Sequence, residues 1–331
     1  MSETASITSG LILVRQPDLV PSNALRATLA SALSLQDYGG STIQDLSYKA
    51  FYIGAAWNAA TLRAQRASLD TALATAMTDP TLNQVFPQYF NAKPVTAKPL
   101  QSDQCLFLNK VDWQPYFYND DVVSMIASLY GGNQLPPGDL RTFCLILVLP
   151  PGTILYQAPN PATPGESNEK SAGGFTDSMD GLASYHSAAV MKDGTRIYYA
   201  VTVWSDGENG AAIPGWQPWE NVCAGLYHEL AETRTNPDLT KLPPNKNWGW
   251  ASVDGDEIGD LSVIWAGDDP AKVFVKDIAG ISGVPVALLW SDKEHGPFDP
   301  RSAAGSVATP RGRRAPAQPG RHGRKSASST D

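Results

Sequence analysis

Cysteine is scarce: Cys105, Cys144 and Cys223 are the only three in 331 residues, far apart and without a Cys-x-x-Cys pair. That spacing excludes a thiolate zinc site and gives no basis for a disulfide framework. Cys144 lies in an apolar run and Cys223 in a helical stretch, so buried free thiols are expected there. Histidine is nearly as rare, at His186, His228, His295 and His322. No apolar run reaches membrane-spanning length. The opening stretch MSETASITSGLILVRQPDLV lacks the basic start and long apolar segment of a secretory signal. The expectation is a protein without a membrane partner, cytoplasmic by default or exported by a non-classical route. Basic residues are also short in supply over most of the chain. Lys and Arg total 25 against 33 Asp and Glu, a net charge of −8. Six of the basic residues fall in 311–325 (RGRRAPAQPGRHGRK), which has no acid, so the rest carries 25 − 6 = 19 against 33, a net of −14. A body this acidic does not suit a nucleic-acid partner and does suit cations or neutral ligands.

What is present is the alternation of elements expected of an α+β protein. Residues 22–35 have apolar positions at helical spacing after a Ser-Asn cap. Residues 48–57 read as a strand, 58–79 as a helix closed by Pro80 with a short helix on to about residue 89, and 119–131 as a helix ending at Gly131-Gly132. RTFCLILVLPPG (141–152) is a continuous apolar strand, closed by two prolines. Residues 157–180 form a long Pro/Gly/Ser/Asn-rich loop. In 182–204 two β-rich runs flank Asp193-Gly194, a strong hairpin signal. A helix starts near Pro218, and short strands are expected at 261–265, 271–276 and 284–290. Residues 1–140 are expected to belong to the same domain as the core at 141–301. Residues 302–331 form a basic tail too poor in large apolar residues to pack, expected to be disordered.

The stretch LYHELAETRTNP (226–237) carries the chemistry. His228 and Glu232 are four apart and therefore share one face of a helix, as two metal ligands must. The pattern His-Glu-x-x-Glu differs from the zinc-peptidase His-Glu-x-x-His only in its second ligand, and zinc accepts carboxylate oxygen at about 2.0–2.2 Å. Glu229, about 100° further round, is then the expected catalytic general base for a metal-activated water. Two ligands do not hold a catalytic metal. The third is expected from His186, on the first strand of the hairpin, or from Glu257 or Asp260 in DGDEIGD (254–260). That acidic run lacks the twelve-residue calcium-loop pattern.

Three blocks resemble one family. His228, Glu229, Ala231, Glu232, Thr235, Asn236 and Pro237, then Trp250, then Glu257, Ile258, Gly259, Asp260 and Leu261 follow the order of the EXORDIUM-like (phosphate-induced) proteins, in a bacterial-type version. The triplet Ser184-Tyr185-His186 and the segment at 286–300 fit it as well, so the resemblance covers about residues 120–300. Ser262 stands where the family pattern has cysteine, and the secretion signal common in the family is missing. The resemblance implies no secure activity, but it draws His186, Glu257 and Asp260 into the motif blocks. Tyr185 and Trp250, in the same blocks, are the expected substrate-binding residues for a peptide or carbohydrate ligand.

Together these features lead to the expectation of a single zincin-like α+β domain, with a mixed or antiparallel sheet, a His-Glu-x-x-Glu site helix and a loop-rich C-terminal part. The expected activity is metal-dependent hydrolysis, most simply of peptides, with zinc as the cofactor. The alternative is a non-catalytic binding or signalling module with a structural metal or a degenerate site.

Overall fold

A computed structural model describes residues 33–101, 115–157, 177–239, 248–267 and 269–301, with the backbone of short strands at Gly10–Ile12 and Cys105–Leu106. The expected helix at 22–35, the loop at 157–180 and the tail at 302–331 fall largely or wholly outside these residues.

In chain order the principal elements are β1 (Gly10–Ile12), β2 (Asp45–Ile53), α1 (Ala60–Thr78), β3 (Thr96–Pro99), β4 (Cys105–Leu106) and α2 (Asn119–Gly131). They continue with β5 (Phe143–Val148), β6 (Leu182–Val190), β7 (Arg196–Thr202), α3 (Pro218–Thr235) and α4 (Asp260–Trp265). The strands form one mixed sheet in the order β1-β6-β7-β5-β2-β3, with β4 also pairing β2. β2, β3, β4, β5 and β7 run parallel, and β6 opposes both β1 and β7. The fold is thus mixed α and β, consistent with the expected α+β class. The sheet draws on both sides of residue 140.

Helices cover both sheet faces. Tyr48, Ala50, Tyr52, Cys144, Ile146, Val148, Tyr198 and Ala200 pack with α1 and α3, while Phe51, Leu145, Leu147, Ile197, Tyr199 and Val201 pack with α2. A strand covered on both sides has no solvent face, which is why β5 is an unbroken apolar run with every residue buried. The hairpin between β6 and β7 closes at Gly194, whose φ of 84° suits glycine. Asp193 braces this turn by accepting from the Thr195 amide at 2.9 Å.

α3 is the central helix. Pro218 fills its first position, and Gln217 and Glu220 form a capping box. Every residue from Glu220 to Thr235 is buried, so the polar face lies under other parts of the chain instead of in water. Its neighbours are α1, β6, β7 and the Val286–Ala287 strand.

The C-terminal part departs from expectation. Residues 261–265 were expected as a strand and form the helix α4. The strand expected at 271–276 shortens to Phe274–Val275 after a 3-10 turn at Pro270–Lys272, and that at 284–290 divides into Val286–Ala287 and Trp290–Ser291. These pieces are too short to make a second sheet of any size. No helix among the described residues is long and apolar enough to cross a membrane.

Candidate metal centre

Two neighbouring segments bring the site together on α3. The first is β6. Successive strand side chains point to opposite faces, so Ser184 and His186 face α3 while Tyr185 enters the apolar layer beneath α2, edge-on to Tyr199 at 6.2 Å. The second is the turn before α4. Ser252 organises it, donating to Asp256 Oδ2 at 3.0 Å and accepting from the Asp254 and Asp256 amides. Asp254 is left exposed, and Glu257 and Asp260 are delivered to the helix.

Glu232 stands at the centre. Its Oε1 lies 3.0 Å from His228 Nε2 and accepts from the Gly259 and Asp260 amides at 3.2 and 3.3 Å. Its Oε2 lies 3.5 Å from His186 Nδ1. His228 Nε2 is also 3.5 Å from Asp260 Oδ1, and Asp260 Oδ2 accepts from the Glu257 amide at 3.1 Å. On the strand side, Ser184 Oγ donates to Glu229 Oε1 at 2.9 Å, and His186 Nδ1 is 3.1 Å from Glu229 Oε2. His186 Nε2 is 3.2 Å from the Asn236 carbonyl and 3.5 Å from Glu257 Oε1.

Two glycines make this closeness possible. A β-carbon on Gly259 would overlap the His228 ring, so the Glu-Ile-Gly-Asp turn can lie flat on that imidazole only with glycine there. A β-carbon on Gly249 would overlap the Thr235 carbonyl. The Gly249 amide instead donates to Asn236 Oδ1 at 2.8 Å, fixing the residue whose carbonyl meets His186.

His186, His228, Glu229, Glu232 and Glu257 are fully buried, and the Asp260 side chain is 17% exposed. Burial alone would lower both imidazole pKa values. Glu257, Glu229 and Glu232 around His186, and Glu232 and Asp260 beside His228, outweigh it and raise both well above the usual value. Burial also opposes ionisation of Glu232, but the two histidines pull its pKa down to about 2. Burial and the neighbouring Glu232 push Asp260 up to about 7.

The donor set fits a metal ion. His228, Glu232 and Asp260 each offer a ligand atom within 4.8 Å of the others, and so do His186, Glu229 and Glu232. Metal–ligand bonds of about 2.0–2.2 Å place adjacent donors roughly 3.3–3.6 Å apart, close to the 3.0 and 3.5 Å seen around His228. His228 Nδ1 and Nε2 and Glu232 Oε2 are buried without a hydrogen-bond partner. Nε2 and Glu232 Oε1 are therefore near each other but not aligned for a proton to join them. Such orphaned buried polar atoms are costly unless something else satisfies them.

Of the residues expected from sequence, the structure gathers His186, His228, Glu229, Glu232, Glu257 and Asp260. It does not bring Tyr185 there, because strand alternation turns it to the far face. Trp250 pairs in a two-residue ladder with Asp37, and its ring lies edge-on to Tyr89 at 5.2 Å. His295 is exposed in a turn with φ 52°, and His322 lies outside the described residues. Ser184 and Asn236 stand in the motif blocks, but the sequence assigns neither a role in the site. The period of two along Ser184-Tyr185-His186 could have revealed the first, whereas the carbonyl of Asn236 left no mark in the sequence. Cys144 and Cys223 are buried free thiols, with burial pushing Cys144 up to about 12. Comparison with known protein families, with curated proteins and with solved structures finds no match.

Proposed function

We propose that this protein is a metal-dependent hydrolase of zincin type, with a zinc ion on His228, Glu232 and Asp260 and a peptide as the substrate class. One observation carries the reading: a buried histidine and a buried carboxylate one helical turn apart face a second carboxylate, with orphaned atoms between them. A bound divalent ion would supply Lewis acidity and a water acidic enough to ionise near neutral pH. The chain's own residues do the positioning. Gly259 holds the turn against the His228 ring, and the Gly259 and Asp260 amides fix Glu232 Oε1. Asp260 is the partly exposed member of the set, so substrate approaches from its side. Ser184 and His186 meet the two oxygens of Glu229, so Glu229 and His186 are held against each other. The likeness of the motif blocks to the EXORDIUM-like family supports treating them as one functional unit and adds no activity.

A second reading keeps the ion but not the chemistry. Five of the six side chains are fully buried, as a structural metal would require. The test is to strip the full-length protein with a chelator, restore zinc, and follow both unfolding temperature and hydrolysis of a mixed peptide library. Cleavage that vanishes with the metal and returns with zinc supports the hydrolase. Recovery of stability without cleavage supports the structural metal.

A further inference from the structure

We propose that the cluster holds two divalent cations bridged by Glu232, the second bound by His186 Nδ1, Glu229 Oε2 and Glu232 Oε2. This rests on the first metal site proposed above and extends it to a dinuclear centre.

His186 Nε2 faces the Asn236 carbonyl at 3.2 Å, and a carbonyl only accepts, so Nε2 carries the hydrogen. Nδ1 then faces two carboxylate oxygens, Glu229 Oε2 at 3.1 Å and Glu232 Oε2 at 3.5 Å. A bare lone pair there would oppose two anionic oxygens, so something positive lies between them. A proton on Nδ1 points along one line. It would serve Glu229 and leave Glu232 Oε2, which is fully buried and has no hydrogen-bond partner. A metal ion serves all three atoms at once.

Glu232 is built as a bridge. Each of its oxygens faces a different histidine, Oε1 towards His228 and Oε2 towards His186. The two donor sets share this one residue. Two-metal sites have their ions about 3.5–4 Å apart, the spacing a bridging carboxylate supports. The bond from His186 Nε2–H to the Asn236 carbonyl and that from Ser184 to Glu229 are the outer contacts that orient ligands of this kind.

Charge balance agrees. Glu229, Glu232, Glu257 and Asp260 carry a formal −4, which two imidazolium ions would reduce only to −2. Two divalent ions with neutral histidines bring it to zero, which matters where desolvated charge is costly. Glu229 is then a ligand through Oε2, while its Oε1 stays with Ser184.

The test counts ions on the metal-stripped full chain by equilibrium dialysis against Zn²⁺, read by mass spectrometry. Two zinc ions per chain are expected in the wild type, and one in His186→Ala. A wild-type count of one overturns the second ion and leaves the mononuclear hydrolase standing. A count of zero overturns both. Two ions retained by His186→Ala would also overturn the assignment. Should that variant fail to fold, electron paramagnetic resonance of the wild type loaded with Mn²⁺ decides. A spin-coupled pair is expected, and two isolated manganese signals would contradict the bridge.

Discussion

Glu229 is held at both of its oxygens. Its place beside His228 in the sequence suggests a general base, yet in the fold one oxygen accepts from Ser184 and the other meets His186. Glu229→Gln is therefore expected to cost about 1–3 kcal/mol of stability, as loss of a buried acceptor does, and to lower metal content. A base role would instead leave stability and metal intact and cut turnover about 10²–10⁴-fold. Thermal unfolding and metal analysis of this variant separate the two. Gly259→Ala is the complementary change. Its methyl group would overlap the His228 ring, so metal affinity is expected to fall even if the fold survives, which dialysis against zinc would measure. The two histidines and Asp260 also set a pH dependence. In the metal-free protein all three have raised pKa values, with Asp260 near 7 against an ordinary 3.8. The folded state then holds more protons than the unfolded one, so this part of the stability is present at acid pH and declines as pH rises through 7. Glu232, held to about 2, acts in the opposite sense and only at lower pH. Metal loading displaces the protons, so zinc is expected to raise the unfolding temperature more at about pH 8 than at about pH 5. Titrating wild type and Asp260→Asn side by side checks this, with the pH dependence of the metal-free form weaker in the variant.

At the scale of elements, periodicity made the larger pieces legible and failed where runs were short. The helices at 58–79 and 119–131 and the hairpin about Asp193-Gly194 stand close to where spacing and turn residues put them. Leu261-Ser262-Val263-Ile264-Trp265 did not yield to the same reasoning. A short apolar run fits a strand or a buried helix equally well, and here Glu232 accepts the amides of Gly259 and Asp260 as the chain enters α4. That contact spans 27 residues of sequence and cannot be read locally. α3 was legible in extent but not in environment. The four-residue spacing puts His228 and Glu232 on one face, but nothing local reports that this face is buried beneath β6 and the turn into α4. Ser184→Ala tests whether β6 is coupled to that face. The change leaves Glu229 Oε1 without its hydroxyl donor, and an unfolding temperature lowered along with zinc affinity is the expected result.

At the scale of the molecule, the cluster explains why three motif blocks far apart in sequence belong together. β6 supplies His186, α3 supplies His228, Glu229 and Glu232, and the turn before α4 and the first residue of α4 supply Glu257 and Asp260. The sequence named all six, and strand alternation and helical spacing account for part of their convergence. The remainder, the closing of the acidic turn onto α3, depends on long-range packing that no local signal reports. Residues 302–331 offer little apolar area to bury. Removing them is expected to leave the unfolding temperature unchanged, and a marked drop would show that the basic tail docks on the acidic body.

The most direct test of the metal centre is anomalous X-ray scattering at the zinc edge from crystals of the full chain grown with zinc. The account predicts a peak about 2.0–2.2 Å from His228 Nε2, a Glu232 oxygen and an Asp260 oxygen. Full-occupancy zinc bound only away from His228, Glu232 and Asp260, or no peak with His228 hydrogen-bonded directly to Glu232, would contradict it.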